Sequence, residues 1–123
     1  MPAGIEQVNR KFRLTSSAEF KRVRRLGKSY AHPLVVLVAL PNDVGKPRLA
    51  VAAGRSLGGA VERNHAKRLL REAIRPNIPS IQPGWDYLLL ARRPILAAPY
   101  LAISSAVIVL LRQAHLWKEA DAS

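Results

Sequence analysis

Between Gly58 and Pro76 the apolar residues Ala66, Leu69, Leu70, Ala73 and Ile74 fall at i, i+3, i+4, i+7 and i+8, the spacing of one buried helical face. Arg63, Lys67, Arg71 and Arg75 recur every four residues as a second stripe, widened by Asn64 and Arg68. Gly58 and Gly59 free the backbone ahead of the helix, and Pro76 cannot continue it. Upstream, Ser16-x-x-Glu19 is a capping-box pattern that predicts a short helix from about Ser17 to Leu26, with Gly27 as its C′ residue. Phe20 and Val23 share one face of it, while Lys21, Arg22, Arg24, Arg25 and Lys28 surround the remainder.

The run Leu34 to Leu40 is continuously apolar and of strand length, and Pro41, Asn42, Asp43 and Gly45 punctuate its end. Arg48 to Ala53 reads as a second strand, expected to pair with the preceding run as a hairpin. Pro76, Pro79, Pro83 and Gly84 predict a rigid loop before a further strand, Trp85 to Ala91, with Arg92 and Arg93 at its end extending a positive surface. Pro99 suits the first turn of a last helix, in which Ile103, Val107, Leu110, Leu111 and Ala114 share a face that Trp117 closes. The order helix, strands, basic helix, strand, helix predicts an α+β fold. A helix spans the connection between the strands flanking it, so those strands are expected to be parallel. Residues 1–123 read as one domain, with a basic arm at 1–13 that is loosely held or ordered by contact with a partner, and a polar tail at 118–123.

Ile95 to Leu111 carries no charge, but it is shorter than the roughly 20 residues a membrane-crossing helix needs and contains Pro99, Ser104 and Ser105. It reads as a buried core helix, with no membrane partner. The polar, basic N-terminus lacks an apolar signal core, which points to the cytoplasm.

Charge sharpens the picture. Twenty Lys and Arg against eight Asp and Glu leave +12, and most of the cations are arginine, whose planar fork suits phosphate. An ordinary solvated face mixes signs; in the stripe of the central helix acids at pairing distance are largely missing, although Arg68 with Glu72 is one possible pair, which favours an anionic partner. No cysteine is present, and His32, His65 and His115 lack ligand spacing, so thiolate chemistry is excluded and a transition-metal site is not expected. The eight acids form no D-x-D or E-x-x-H group. Ser56 lies in a Gly-rich connection that matches neither G-x-S-x-G nor G-x-x-x-x-G-K-[ST], so no catalytic residue is assigned to this chain. Gly54, Gly58 and Gly59 read as turn residues, with phosphate binding by their backbone N–H groups as the minor alternative. Standard RNA-binding signatures are absent. Phe12, Phe20 and Tyr30 are the aromatics near basic residues, and for Phe20 core packing and base stacking are equal readings.

The stretch Gly58-Gly59-Ala60-Val61-Glu62-Arg63-Asn64-His65-Ala66-Lys67-Arg68-Leu69-Leu70-Arg71-Glu72 resembles the RNR signature of the bacterial ribonuclease P protein component, G-x-A-V-x-R-N-x-x-K-R-x-x-R-E. Arg13-Leu14, Phe20, Gly27, Pro47-Arg48-Leu49 and the Tyr87-Leu-Leu-Leu-Ala-Arg92 strand also have counterparts in that family, so the resemblance covers roughly residues 10–117. It implies a small α/β sandwich with the basic helix in a left-handed crossover. It also implies a subunit of a ribonucleoprotein that removes the 5′ leader of precursor tRNA, in which the RNA subunit performs hydrolysis with Mg²⁺.

On that resemblance Arg55, Arg63, Asn64, Lys67, Arg68 and Arg71 face ribonuclease P RNA, and Phe12, Arg13, Phe20, Arg24 and Val38 belong to a leader cleft between the first helix and the sheet. The sequence departs from the family at Ser56, where a second lysine is usual, and at His65 and Ala66. It departs again at Arg24 and Val38, where relatives often carry aromatics; Arg24 would instead bind leader phosphates or stack its guanidinium. Rival readings are a structural or ribosomal-type RNA-binding protein with no role in cleavage, a self-sufficient nuclease and, more weakly, a DNA-binding helix.

Overall fold

The computed structural model describes residues 17–118. Ser16, the basic arm with Phe12 and Arg13, and residues 119–123 of the tail lie outside the described residues. In order, the elements are α1 (Ser17–Leu26), β1 (Lys28–Ala31), β2 (Val35–Pro41), β3 (Arg48–Ala53), α2 (Ala60–Ile74), β4 (Trp85–Ala91) and α3 (Tyr100–Gln113). The α+β expectation holds, and the three helices form where capping and periodicity put them. Strand β1 had no apolar run to announce it.

The four strands lie in the order β1-β2-β4-β3. β4 is parallel to β3, from Arg48 opposite Asp86 to Ala53 opposite Ala91, as a helical crossover requires. The expected hairpin of the second and third runs does not form. Strand β2 pairs antiparallel with β1 on one side and with β4 on the other, and β3 is an edge strand bonded to β4 alone. The reason is burial. Val35, Leu37, Val38 and Ala39 are all buried, so β2 presents apolar side chains to both faces and needs two neighbours, whereas β3 is short and rich in alanine. Asn42 fixes the arrangement: its N–H donates to Gly84 O and its Nδ2 donates to Asp86 Oδ1, which ties the turn after β2 to the start of β4.

Alternation along the strands gives the sheet two apolar faces. Val35, Leu37, Ala39, Leu49, Tyr87 and Leu89 point to the side where Ala66, Leu70 and Ile74 of α2 and Ile103, Val107, Leu110 and Leu111 of α3 complete the main core. On the opposite side Val38 and Leu88 meet Val23 of α1, with Phe20, Val36, Leu40, Ala50, Ala52 and Leu90 partly buried around them. Two helices therefore cover one face and one short helix covers the other. Close approach sets the position of α1: a Cβ on Gly27 would lie 2.6 Å from Val38 Cγ1, 2.7 Å from Val23 O and 2.9 Å from Ala39 O.

Helix α2 stops at Ile74, ahead of Pro76, and the chain continues as a 3₁₀ turn over Arg75–Ser80. The segment after α3 is stitched to that turn, since Lys118 N donates to Ser80 O, Gln82 N donates to Leu116 O, and Ile81 bridges Trp117. Tyr87 donates its hydroxyl to Gln82 O at 2.6 Å, and burial pushes its phenol above the usual range. Among the described residues no helix is long and apolar enough to cross a membrane; the uncharged run at 95–111 forms a 3₁₀ turn and the core helix α3.

Candidate nucleic-acid interface

Helix α2 lies over β3 and β4, whereas α3 lies over β2 and β1. The flank of α2 nearest α3 carries Glu72, whose carbonyl accepts a hydrogen bond from the Tyr100 hydroxyl at 3.1 Å, and Leu69, packed against the main core. At 3.6 residues per turn Arg63, Lys67 and Arg71 come out on the other flank, above the free edge of β3. All three are half-buried there, whereas Asn64, Arg68 and Arg75 are exposed. Arg63, Lys67 and Arg68 form no ion pair with any described residue. The ion pairs of Arg48 with Glu19 and with Asp86 lie elsewhere. A cationic flank of this kind, held rigid by the apolar face of its own helix, is suited to a polyanion backbone.

The connection into α2 is a tight turn that holds this flank in place. Gly58 adopts φ 123, a backbone state that L side chains rarely take, and buried Leu57 anchors a 3₁₀ turn over Arg55–Leu57. The N–H groups of Leu57 and Gly58 donate to Gly54 O and Arg55 O, and that of Gly59 donates to Glu62 Oε1 at 3.0 Å. These three donors are therefore engaged within the chain and serve the turn. Arg55 is exposed at its start, and Arg93 reaches the same turn, donating from Nη1 to Ser56 O at 3.3 Å. Arg92 points the other way and donates to His32 O at 3.4 Å. Of the two arginines at the end of β4, Arg93 therefore lies beside the turn that carries Arg55, and Arg92 lies beside the β1–β2 turn.

A second surface lies across the sheet. Helix α1 seals Val38 and Leu88 but leaves Val36, Leu40, Ala50, Ala52 and Leu90 half-open beside it. Phe20 is half-buried at the border of this apolar patch, so its ring both packs and remains accessible, and Arg24, one helical turn further, is exposed. Val38 does not belong to the open surface. It is 2% exposed, directly beneath α1, and serves packing instead of contact with a ligand.

The sequence reading passed over Asp86 and the network in which it joins Glu19 and Arg48. Arg48 donates from Nε and Nη2 to Asp86 Oδ1 and Oδ2 at 2.8 and 2.9 Å and from Nη1 to Glu19 Oε2 at 2.8 Å. Asp86 is fully buried, and its partnership, more than that with Glu19, raises the Arg48 pKa further against the opposing effect of burial. The available signal was a lone aspartate inside an apolar strand, which has to find a cation when buried.

The ribonuclease P family model matches residues 8–115. The chain belongs to the ribonuclease P protein family. The ribonuclease P protein component of Herpetosiphon aurantiacus is 40% identical over 114 residues, 93% of either chain, and that of Dehalococcoides mccartyi is 34% identical over 117 residues, 95% of this chain and 93% of the relative. Among solved structures, Staphylococcus aureus RNase P protein superposes with a TM-score of 0.75 at 28% identity, over 86% of this chain and 97% of that one. RNase P protein from Thermotoga maritima gives 0.73 at 26%, over 82% and 96%.

Membership as a ribonuclease P protein removes the ribosomal-type alternative and makes ribonuclease P RNA the partner. In this ribonuclease P protein Arg63, Asn64, Lys67, Arg68 and Arg71 gather on the outer and edge-facing sides of α2, with Arg55 at the turn that leads into it. Phe20 and Arg24 lie together on the other side of the sheet, without Val38. Among the described residues the donor set does not fit a metal held by the protein. Among the described residues no three His, Cys, Asp or Glu side chains converge, and the buried carboxylate of Asp86 is already bound by Arg48 and Asn42.

Proposed function

We propose that this subunit of ribonuclease P supplies binding energy while the RNA subunit and its Mg²⁺ ions carry out leader hydrolysis. The cationic flank of α2, with Arg55 and the arginines after β4, neutralises phosphates of ribonuclease P RNA. The half-open sheet face beside α1, bordered by Phe20 and Arg24, receives the single-stranded 5′ leader of precursor tRNA. Mg²⁺ is assigned to the RNA and the substrate, and the cytoplasm, where precursor tRNA is met, is the place of action.

The observation that carries this reading is the pairing of two structural facts: an α2 surface on which Arg63, Lys67 and Arg68 have no carboxylate partner among the described residues, and an apolar strip across the sheet left half-covered by a cationic helix. The first recognises phosphate backbone and the second suits unstacked bases next to a charged wall. Reconstitution tests it. The chain added to ribonuclease P RNA at low Mg²⁺ should restore leader removal from precursor tRNA, and the chain alone should release nothing. Cleavage by the protein alone would assign the chemistry to this chain, and failure to stimulate the RNA would remove the cofactor role.

A further inference from the structure

Helix α1 is one wall of the proposed leader surface, yet it is only ten residues long and touches the sheet by one narrow face. Its outward residues Lys21, Arg22, Arg24 and Arg25 are exposed cations of one sign, which do nothing to hold it in place. At its C-terminal end the close approach at Gly27 fixes it against β2. At its N-terminal end the fixing element is polar. Asp86, fully buried and also bonded by Asn42, grips Arg48 through two parallel hydrogen bonds, so the remaining arm of the guanidinium is aimed at a set point. That arm meets Glu19 at 2.8 Å, and Glu19 is the single acid of α1. The pair is partly exposed, with 36% of the Glu19 side chain accessible, so it contributes little to overall stability. Its effect is directional, because it chooses where the first turn of the helix rests.

We propose that Glu19 is a positioning residue for leader recognition: through Arg48 it anchors the first turn of α1 and thereby holds the adjacent Phe20 ring beside the half-open apolar strip, without touching RNA itself. The proposal rests on the leader reading above. It deepens that reading by assigning part of the discrimination between precursor and mature tRNA to a contact inside the protein. Without the anchor, the short helix pivots about its Gly27 end and the Phe20 ring is no longer held in register with the strip.

The sign of the effect separates positioning from charge. Removing an acid from a cationic helix on purely electrostatic grounds tightens binding of a polyanionic leader, whereas releasing the anchor weakens it. Holoenzymes reconstituted with wild-type protein, Glu19→Ala, Glu19→Gln and Phe20→Ala are compared for their Kd with leader-bearing precursor tRNA and with leaderless tRNA, alongside each protein's affinity for ribonuclease P RNA. The expected result is a fall of roughly threefold to tenfold in the preference for leader in Glu19→Ala, comparable with the loss of one placed contact, and a smaller fall in Glu19→Gln, with affinity for the RNA subunit unchanged. Glu19→Gln also retains the acceptor a helix start can use, so it decides the question if Glu19→Ala fails to fold. A preference that falls in Phe20→Ala but is unchanged or raised in the folded Glu19 variants overturns the positioning role and leaves the leader surface intact. A preference unchanged in Phe20→Ala overturns the leader surface itself, and the proposal with it.

Discussion

A few individual positions hold this molecule together for reasons that a pattern alone does not reveal. Gly27 looks like a C′ glycine serving a left-handed turn, but it is not among the positive-φ glycines; it is needed because β2 passes too close for any side chain. Two of the three atoms a Cβ would strike are backbone oxygens, which cannot rotate away. Gly27→Ala should therefore cost about 2 kcal/mol, a typical overpacking penalty, and urea unfolding would measure it. The left-handed position at the end of α3 is instead taken by His115, at φ 60, where the Leu116 N–H reaches back to Leu111 O. Replacing His115 by glycine removes that backbone cost and should raise stability by about 0.5 kcal/mol, less than the full left-handed penalty because glycine also loosens the unfolded chain. Arg48→Ala lies at the other extreme. It strands the fully buried Asp86 with Asn42 as its remaining side-chain partner, and a loss of about 3 kcal/mol or more is expected in the same measurement. That partnership joins residues 38 apart in the chain, which is why the aspartate in WDYLLLA passed without comment at the level of sequence.

Local signals determined the elements well and their pairing poorly. Helices α1, α2 and α3 were legible because caps, prolines and a 3.6-residue period act within a few residues. The partner of β3 was not, because β4, which inserts between β2 and β3, comes after a whole helix. The basic stripe was legible in kind but not in shape. A spacing of four overshoots one turn by about 40°, so Arg63, Lys67, Arg71 and Arg75 spiral around α2, the first three half-buried above the β3 edge and the last exposed. Binding energy should follow this geometry. Arg63→Ala and Lys67→Ala should each weaken binding to ribonuclease P RNA and lower the slope of log K against log salt by somewhat less than 1, as expected for one lost phosphate contact, in titrations across several salt concentrations. An unchanged slope would mean that the flank does not touch phosphate. Val38 is the opposite lesson: a position matched to the leader cleft by motif is sealed beneath α1, because alternation along β2 sends it toward the helix that covers the sheet.

Over the whole molecule the charge and the covering are asymmetric in a useful way. Two helices bury one face of the sheet and place a cationic flank over the β3 edge; one short helix half-covers the other face and leaves an apolar strip bordered by cations. The proposed contacts with the RNA subunit and with the leader are therefore separated by the thickness of the sheet, with no described side chain bonded to both. Sites so separated behave additively, usually to within about 0.5 kcal/mol. Arg63→Ala should weaken affinity for ribonuclease P RNA while leaving the preference for leader-bearing tRNA unchanged, Phe20→Ala should do the reverse, and the double variant should show the sum of the two losses. Measured in reconstituted holoenzyme, with both Kd values taken for each of the four proteins, a coupling well above that margin would require one continuous RNA track running over the β3 edge. Additivity would instead mean that the small subunit works as a two-sided spacer, holding the leader at a fixed distance from the RNA subunit.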